Sequence, residues 1–401
     1  MTYDVDSVRA RFPSLASGTA HFDGPGGSQV PAAVADAVRG AMTSSLANRG
    51  SVTAAERTAD AIVLDARRAV ADLLGASPGG VVFGRSMTQL TYDFARTLAT
   101  TWRPGDEVVV TRLDHDANVR PWVQAASAVG AVVRWVRFDP ESGELTPADV
   151  AAALSPRTRL VAVTAASNLI GTCPDLAEIA DLVHARGALL YVDGVHYTAH
   201  QPVDVDAIGA DFFACSPYKF FGPHCGVVAG RPDVLSDLRP DKLLPSSDAV
   251  PERFELGTLP YELLAGCTAA VDFIAGLVPS EGDRRTRIAA SLAAVGEHEH
   301  RLRERVEEGL AALPGVVVRS RARRRTPTLL VTFADRPASD AYRFLAGLDV
   351  NAPAGSFYAI EASRWLGLGD AGGLRIGLAA YTTDAEVDRL LAGLGRFLAS
   401  A

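Results

Sequence analysis

Short apolar runs, the mark of strands buried on both faces, alternate along much of the chain with stretches whose apolar residues recur every third or fourth position, the mark of helices with one buried side. Helices are predicted over Asp60–Leu74, Thr88–Leu98, Val119–Val129, Pro147–Leu154 and Asp175–Arg186. Proline opens the fourth of these, where a missing N–H is tolerated. Strands are predicted over Val81–Phe83, Glu107–Thr111, Ala131–Phe138, Thr158–Ala165, Ala188–Val192 and Asp211–Cys215. This alternation implies an α/β fold, a mostly parallel sheet covered by helices on both faces. Such sheets bind ligands beyond the carboxyl ends of their strands. Residues just after the strand runs, among them His115, Asn168, Asp193 and Lys219, are therefore the first candidates for chemistry.

The rhythm changes after Cys267. A long helical stretch, Arg284–Leu313, leads into strands at Val316–Arg319 and Thr328–Phe333, a helix at Ala338–Leu348, a strand at Gly373–Gly377 and a helix at Asp384–Leu398. The expected organisation is an N-terminal segment (1–20) packing on a small unit, a large α/β domain (21–283), and that small C-terminal α+β domain (284–401).

Composition narrows the function. With 401 residues, 48% hydrophobic and 21% charged, the chain can bury a large core. Its 39 Lys and Arg against 47 Asp and Glu give a net charge of -8, which argues against a nucleic-acid partner. The one basic run, Arg319–Arg325, reads as a solvated loop or strand edge. No uninterrupted apolar stretch reaches the roughly 18 residues of a membrane span, and the acidic start offers no apolar signal region. Both point to the cytoplasm. Cys173, Cys215, Cys225 and Cys267 show no paired spacing, so neither disulfides nor a metal site is expected. No Gly-x-Gly-x-x-Gly follows the first strand, which disfavours a nicotinamide dehydrogenase.

Lys219 follows the strand Asp211–Cys215 within Ser216-Pro217-Tyr218-Lys219-Phe220-Phe221-Gly222-Pro223. A lysine in such apolar company loses solvation, and desolvation lowers its pKa toward a nucleophilic amine. Asp193 ends the strand before it. A lysine to carry an aldehyde and an aspartate to keep a pyridinium nitrogen protonated are the pair that pyridoxal phosphate chemistry requires. Gly84-Arg85-Ser86-Met87-Thr88-Gln89 leaves a strand and opens a helix, where free backbone N–H groups suit a phosphate.

Taken in order, these and further motifs resemble the class V aminotransferase group of fold-type I pyridoxal phosphate enzymes, most closely its cysteine desulfurase-like branch, over nearly the whole chain. The resemblance implies a seven-stranded type of large domain, a pyridoxal 5'-phosphate cofactor and a homodimer with shared active sites. Met87, through its backbone, and Thr88 take the phosphate. His115, in Asp114-His115-Asp116-Ala117-Asn118, stacks on the cofactor ring. Asn168, in the Asn-x-x-Gly-Thr turn ending at Thr172, reaches the phenolic oxygen or the substrate. His196 stands where family members commonly carry Gln, and as a histidine it can also titrate. Ser216 and Tyr218 flank Lys219 at positions where the family binds phosphate with Ser and His. Gly257 and Thr258 reach the phosphate of the neighbouring subunit's cofactor. Arg375, in Leu374-Arg375-Ile376-Gly377, holds the substrate α-carboxylate with a bidentate fork.

One departure matters. The desulfurases attack the substrate sulfur with a loop cysteine, and in the corresponding segment, Pro353-Ala354-Gly355-Ser356-Phe357-Tyr358-Ala359, Tyr358 stands at its position. A phenol cannot accept a persulfide. The expected activity is therefore a lyase on an amino acid bound as an external aldimine, cleaving the C–S bond of cysteine or an S-substituted cysteine by β-elimination. Tyr358 would gate the site or protonate the leaving sulfur, and with Phe357 it would line a pocket for a bulky substrate; Trp365 would join them or, as such aromatics more often do, pack in the core. The alternative is transamination, epimerisation or decarboxylation-coupled deamination with the same Lys219, Asp193 and His115.

Overall fold

The computed structural model describes residues 3–400; Met1 and Thr2 of the expected N-terminal segment, and Ala401 of the small domain, lie outside them. Seven strands form the large sheet: β1 (Val81–Gly84), β2 (Glu107–Thr111), β3 (Val132–Val136), β4 (Thr158–Thr164), β5 (Leu189–Asp193), β6 (Phe212–Cys215) and β7 (Gly226–Gly230). Their order is β1-β7-β6-β5-β4-β2-β3. All run parallel except β7, which pairs antiparallel with both β1 and β6. Strand β7 is the one element of the sheet that the apolar rhythm did not predict. It is a short Gly-Val-Val-Ala-Gly segment, with glycines at both ends where strand formers are usual.

Helices cover both faces, and the sheet's alternate side chains feed two apolar cores. Helix Ala54–Leu74 begins nearly two turns before its predicted start because Thr53 and Glu56 form a reciprocal capping box, and it ends on Gly75 at φ 61°. Helices Ala32–Met42 and Tyr261–Ala275, also unpredicted, pack against one another, and the latter packs against Ala54–Leu74.

The C-terminal unit builds a four-stranded antiparallel sheet from β8 (Val316–Val318), β9 (Thr328–Phe333), β10 (Ala354–Gly355) and β11 (Gly373–Gly377), in the order β10-β11-β9-β8. It has its own core, to which helix Asp384–Ala399 contributes Val387, Leu390, Leu394 and Phe397. The N-terminal segment touches both units. Tyr3 donates to the Ala380 carbonyl (2.8 Å) and Arg9 pairs with Glu386 (2.9 Å) on the small one. Phe12 meets Phe221 and Phe273 of the large one edge to face. No helix among the described residues is long and apolar enough to cross a membrane.

Candidate active site

Strands β2, β4, β5 and β6 end at one cavity of about 540 Å³, which the small domain closes with Phe357, Tyr358 and Arg375. On the large-domain side it is lined by Met87, Thr88, His115, Asn168, Asp193 and His196, and by Ser216, Tyr218 and Lys219. The structure thus brings together eleven of the thirteen residues that sequence placed here, nine of them from the large unit and two, Tyr358 and Arg375, from the other. Gly257 and Thr258 are not in its wall. They lie on an exposed loop, where Gly257 has φ 81°. The root of that loop is fixed by buried Glu255, which accepts from both Nη atoms of Arg67 (2.9 and 2.8 Å) and from the Phe83 N–H (2.9 Å).

Ser86 caps helix Met87–Ala99 by accepting from the Gln89 N–H (3.1 Å), which leaves the first N–H groups of the helix without intrahelical partners. Gly226 of β7 makes this turn possible. A Cβ there would sit 2.1 Å from the Ser86 carbonyl carbon and 2.3 Å from the Met87 nitrogen. The unpredicted strand therefore supplies the close approach on which the anion-binding turn rests.

His115 Nδ1 accepts from the Ala117 N–H (3.0 Å), which places the neutral ring's proton on Nε2. Burial, reinforced by the positive charges of Lys219 and Arg375, lowers its pKa to about 4, so the imidazole is uncharged near neutrality. Behind it, Asp114 accepts from Asn118 Nδ2 (2.7 Å), and Asn118 in turn accepts from Trp122 Nε1 (3.1 Å). Burial raises the Asp114 carboxyl to about 8. Sequence quoted Asp114 and Asn118 only as parts of a motif; their work is to hold His115 from below.

Asp193 Oδ1 accepts from the Val195 N–H (2.9 Å), and burial raises the carboxyl to about 6 against that bond and the charge of Lys219. Lys219 Nζ donates to the Pro25 carbonyl. Burial, then the nearby Arg375 charge, lowers its pKa from 10.5 to about 7, while Asp193 opposes the shift. Pro25 and Gly26 were missed by sequence reasoning although both line the cavity. The signal was the Gly-Pro-Gly-Gly run, and its seat is Gly377, whose Cβ would fall 2.1 Å from Pro25 Cδ.

His196 lies in the wall, where burial favours its neutral imidazole. Its Nε2 lies 2.9 Å from both Thr326 Oγ1 and Thr328 Oγ1, and burial lowers its pKa well below the usual value. Tyr218 lies in the wall as expected, and its ring stacks on His224 at 4.7 Å, so a histidine six positions further along backs the tyrosine. Trp365 does not line the cavity. It is held against the core by its Nε1 donating to the Phe138 carbonyl (2.8 Å).

The small-domain wall carries strain and charge. Phe357 and Tyr358 adopt left-handed backbone conformations at φ 52° and 59°. Their carbonyls accept from Asn168 Nδ2 (2.9 Å) and the Asp116 N–H (2.8 Å), which tie the segment across the gap between domains. Tyr358 is 75% exposed and leans over the His115 ring at 5.5 Å. Arg375 is 3% exposed, donates to the Asn168 carbonyl (3.1 Å), and has the Phe357 ring 3.7 Å from its guanidinium carbon. Its Nε and Asn168 Oδ1 are buried without partners. No cysteine lines the cavity: all four are buried and free.

This donor set fits pyridoxal phosphate. The glycine-floored turn at Met87 and Thr88 suits a phosphate, Lys219 an aldehyde, Asp193 a ring nitrogen, and neutral His115 a ring face. Partnerless Asn168 Oδ1 and Arg375 Nε are groups a bound ligand would satisfy.

The description Aminotransferase class-V matches residues 20–390. An aminotransferase-like protein of Gibberella zeae is 30% identical over 98% of this chain and 98% of its own length. A cysteine desulfurase of Dickeya dadantii is 32% identical over 98% of this chain and 97% of its own. The cysteine desulfurase CsdA of Escherichia coli superposes with a TM-score of 0.87 at 27% identity, covering 100% of this chain and 99% of that one. Sequence, fold and the convergence of strand-end residues on one cavity agree, and the chain belongs to the class V aminotransferase family of pyridoxal phosphate-dependent enzymes.

Proposed function

We propose that this chain binds pyridoxal 5'-phosphate on Lys219 and cleaves the C–S bond of cysteine or an S-substituted cysteine by β-elimination. The observation that carries the choice of reaction is the lip of the cavity, where Tyr358 stands and no thiol is within the wall. Sulfur transfer to the protein needs a thiolate there; elimination does not.

When bound, the cofactor would withdraw electrons from the substrate's α-carbon. Arg375 would hold the α-carboxylate, since a buried guanidinium with a free Nε gains a partner it otherwise lacks. Asp193 would face the ring nitrogen, and His115 would cover the ring as a neutral imidazole. Lys219, with a pKa brought to about 7, would take the proton from Cα once its amine is free. The Cβ–S electron pair leaves with sulfur, and the Tyr358 phenol is placed at the rim to protonate it. With one water consumed, the products are a thiol, pyruvate and ammonia. The subunit arrangement proposed with this reading is a homodimer in which Gly257 and Thr258 reach the partner's site.

The experiment is product analysis of the holoenzyme with cysteine. Sulfide and pyruvate support elimination. Alanine with protein-bound persulfide would establish desulfuration, and a keto acid that retains sulfur would establish transamination; either would refute the proposal.

A further inference from the structure

The basic run Arg319–Arg325 has a use that its sequence did not suggest. Arg323, Arg324 and Arg325 face a second cavity of about 550 Å³, which shares no lining residue with the active cavity, between the long helix Arg284–Ala311 and the segments at Cys173 and Tyr197. The helix contributes a fourth arginine, Arg303, which is only 9% exposed. Its one side-chain hydrogen bond among the described residues is Nη2 to His300 Nδ1 (2.7 Å), and its Nε is buried with no partner. No carboxylate lies within ion-pair distance of it among those residues, whereas Arg325 pairs with Glu307 and Arg324 with Asp175 (3.2 Å).

A guanidinium buried without a counter-charge is costly, and such groups are ordinarily paired. The charge of Arg325 nearby adds to the cost, and Glu307 and Glu304, beyond ion-pair distance, offset only part of it. Two carboxylates share the wall but do not relieve it. Glu299 accepts from His200 Nδ1 (2.9 Å), and Glu297 is exposed at the rim. With Arg324 and Arg325 already paired and Glu299 engaged by His200, the guanidinium groups of the wall that make no ion pair among the described residues are those of Arg303 and Arg323.

We propose that this cavity is a binding site for a phosphate-bearing small molecule. A planar fork with free donors matches phosphate oxygens in pairs, which a halide cannot exploit. The volume lies within the roughly 300–1,000 Å³ of small-molecule sites, and Tyr197 and Leu292 give it an apolar side for the remainder of an ester. The overall charge of -8 disfavours a polyanion. The arginine segment continues directly into Thr326 and Thr328, which hold His196 of the active-cavity wall.

The test is calorimetric titration of the holoenzyme, whose own phosphate turn is occupied, with inorganic phosphate and with adenosine monophosphate at constant ionic strength. Saturable binding is expected, weakened about tenfold or more by Arg303→Gln and by Arg324→Gln. Arg324 is exposed, so its variant reports even where Arg303→Gln fails to fold. Tighter binding of the ester identifies a phosphate ester as the ligand; equal or weaker binding identifies the free ion. Absence of saturable binding by both, or binding unchanged in the folded variants, would overturn the proposal.

Discussion

The two walls of the active cavity are built on opposite principles. On the large-domain side, His115, Asp193 and Lys219 follow fully buried strands, and each is fixed by a bond to backbone close at hand. On the small-domain side, Phe357 and Tyr358 hold a left-handed backbone that costs of order 1 kcal/mol per residue, sustained by two hydrogen bonds that cross between domains. The first wall is suited to constant chemistry and the second to choosing what enters and leaves. That contrast explains how a family can keep its cofactor machinery while its reactions diverge.

The largest effect should come from breaking the rigid wall. Lys219→Ala is expected to lower kcat by at least about 10³-fold, through loss of both the anchor and the base, with unchanged circular dichroism. Retention of activity would remove the lysine from the chemistry. Arg375→Lys comes next. It should raise KM for the amino acid roughly 10- to 100-fold, because a point charge replaces a fork at a buried site. An equal fall in kcat with KM unchanged would show that Arg375 acts on the reacting bond and not on the carboxylate.

Tyr358→Phe probes the strained wall. If the phenol protonates the leaving sulfur, kcat should fall about tenfold or more for an alkyl thiolate and much less for an aryl thiolate that leaves unaided. Equal effects on both would reduce Tyr358 to a gate. Smaller still is a pH effect on the cofactor-free protein. The Lys219 pKa is depressed in the folded state, so between pH 7 and 10.5 the unfolded chain binds more protons, and stability should rise with pH across that window. Lys219→Met should remove that part of the slope, read by denaturant unfolding at several pH values. Tyr358→Gly should stabilise the protein by no more than about 1 kcal/mol, the strain of one left-handed residue less the added freedom of the unfolded chain.

The rigid wall was also the legible one. Strand-end positions follow from apolar runs, so His115, Asn168, Asp193 and Lys219 could be grouped before any fold was known. The boundaries of β2, β9 and β11 coincide with the predicted ones because those runs are apolar and abruptly bounded. What escaped depends on contacts between distant segments. Strand β7 is defined by pairing with two neighbours, and the Gly24–Gly26 turn by Gly377, some 350 residues later in the chain. The position of His196 likewise depends on Thr326 and Thr328, which periodicity cannot bring to it.

The claim at the centre of this account is C–S cleavage without a protein thiol. Its most direct test is incubation of the holoenzyme with S-methylcysteine, whose alkylated sulfur cannot be delivered as a persulfide. Methanethiol and pyruvate formed in equal amounts, undiminished by prior treatment with iodoacetamide, is the predicted result. Turnover of cysteine alone, to alanine and abolished by iodoacetamide, would contradict it.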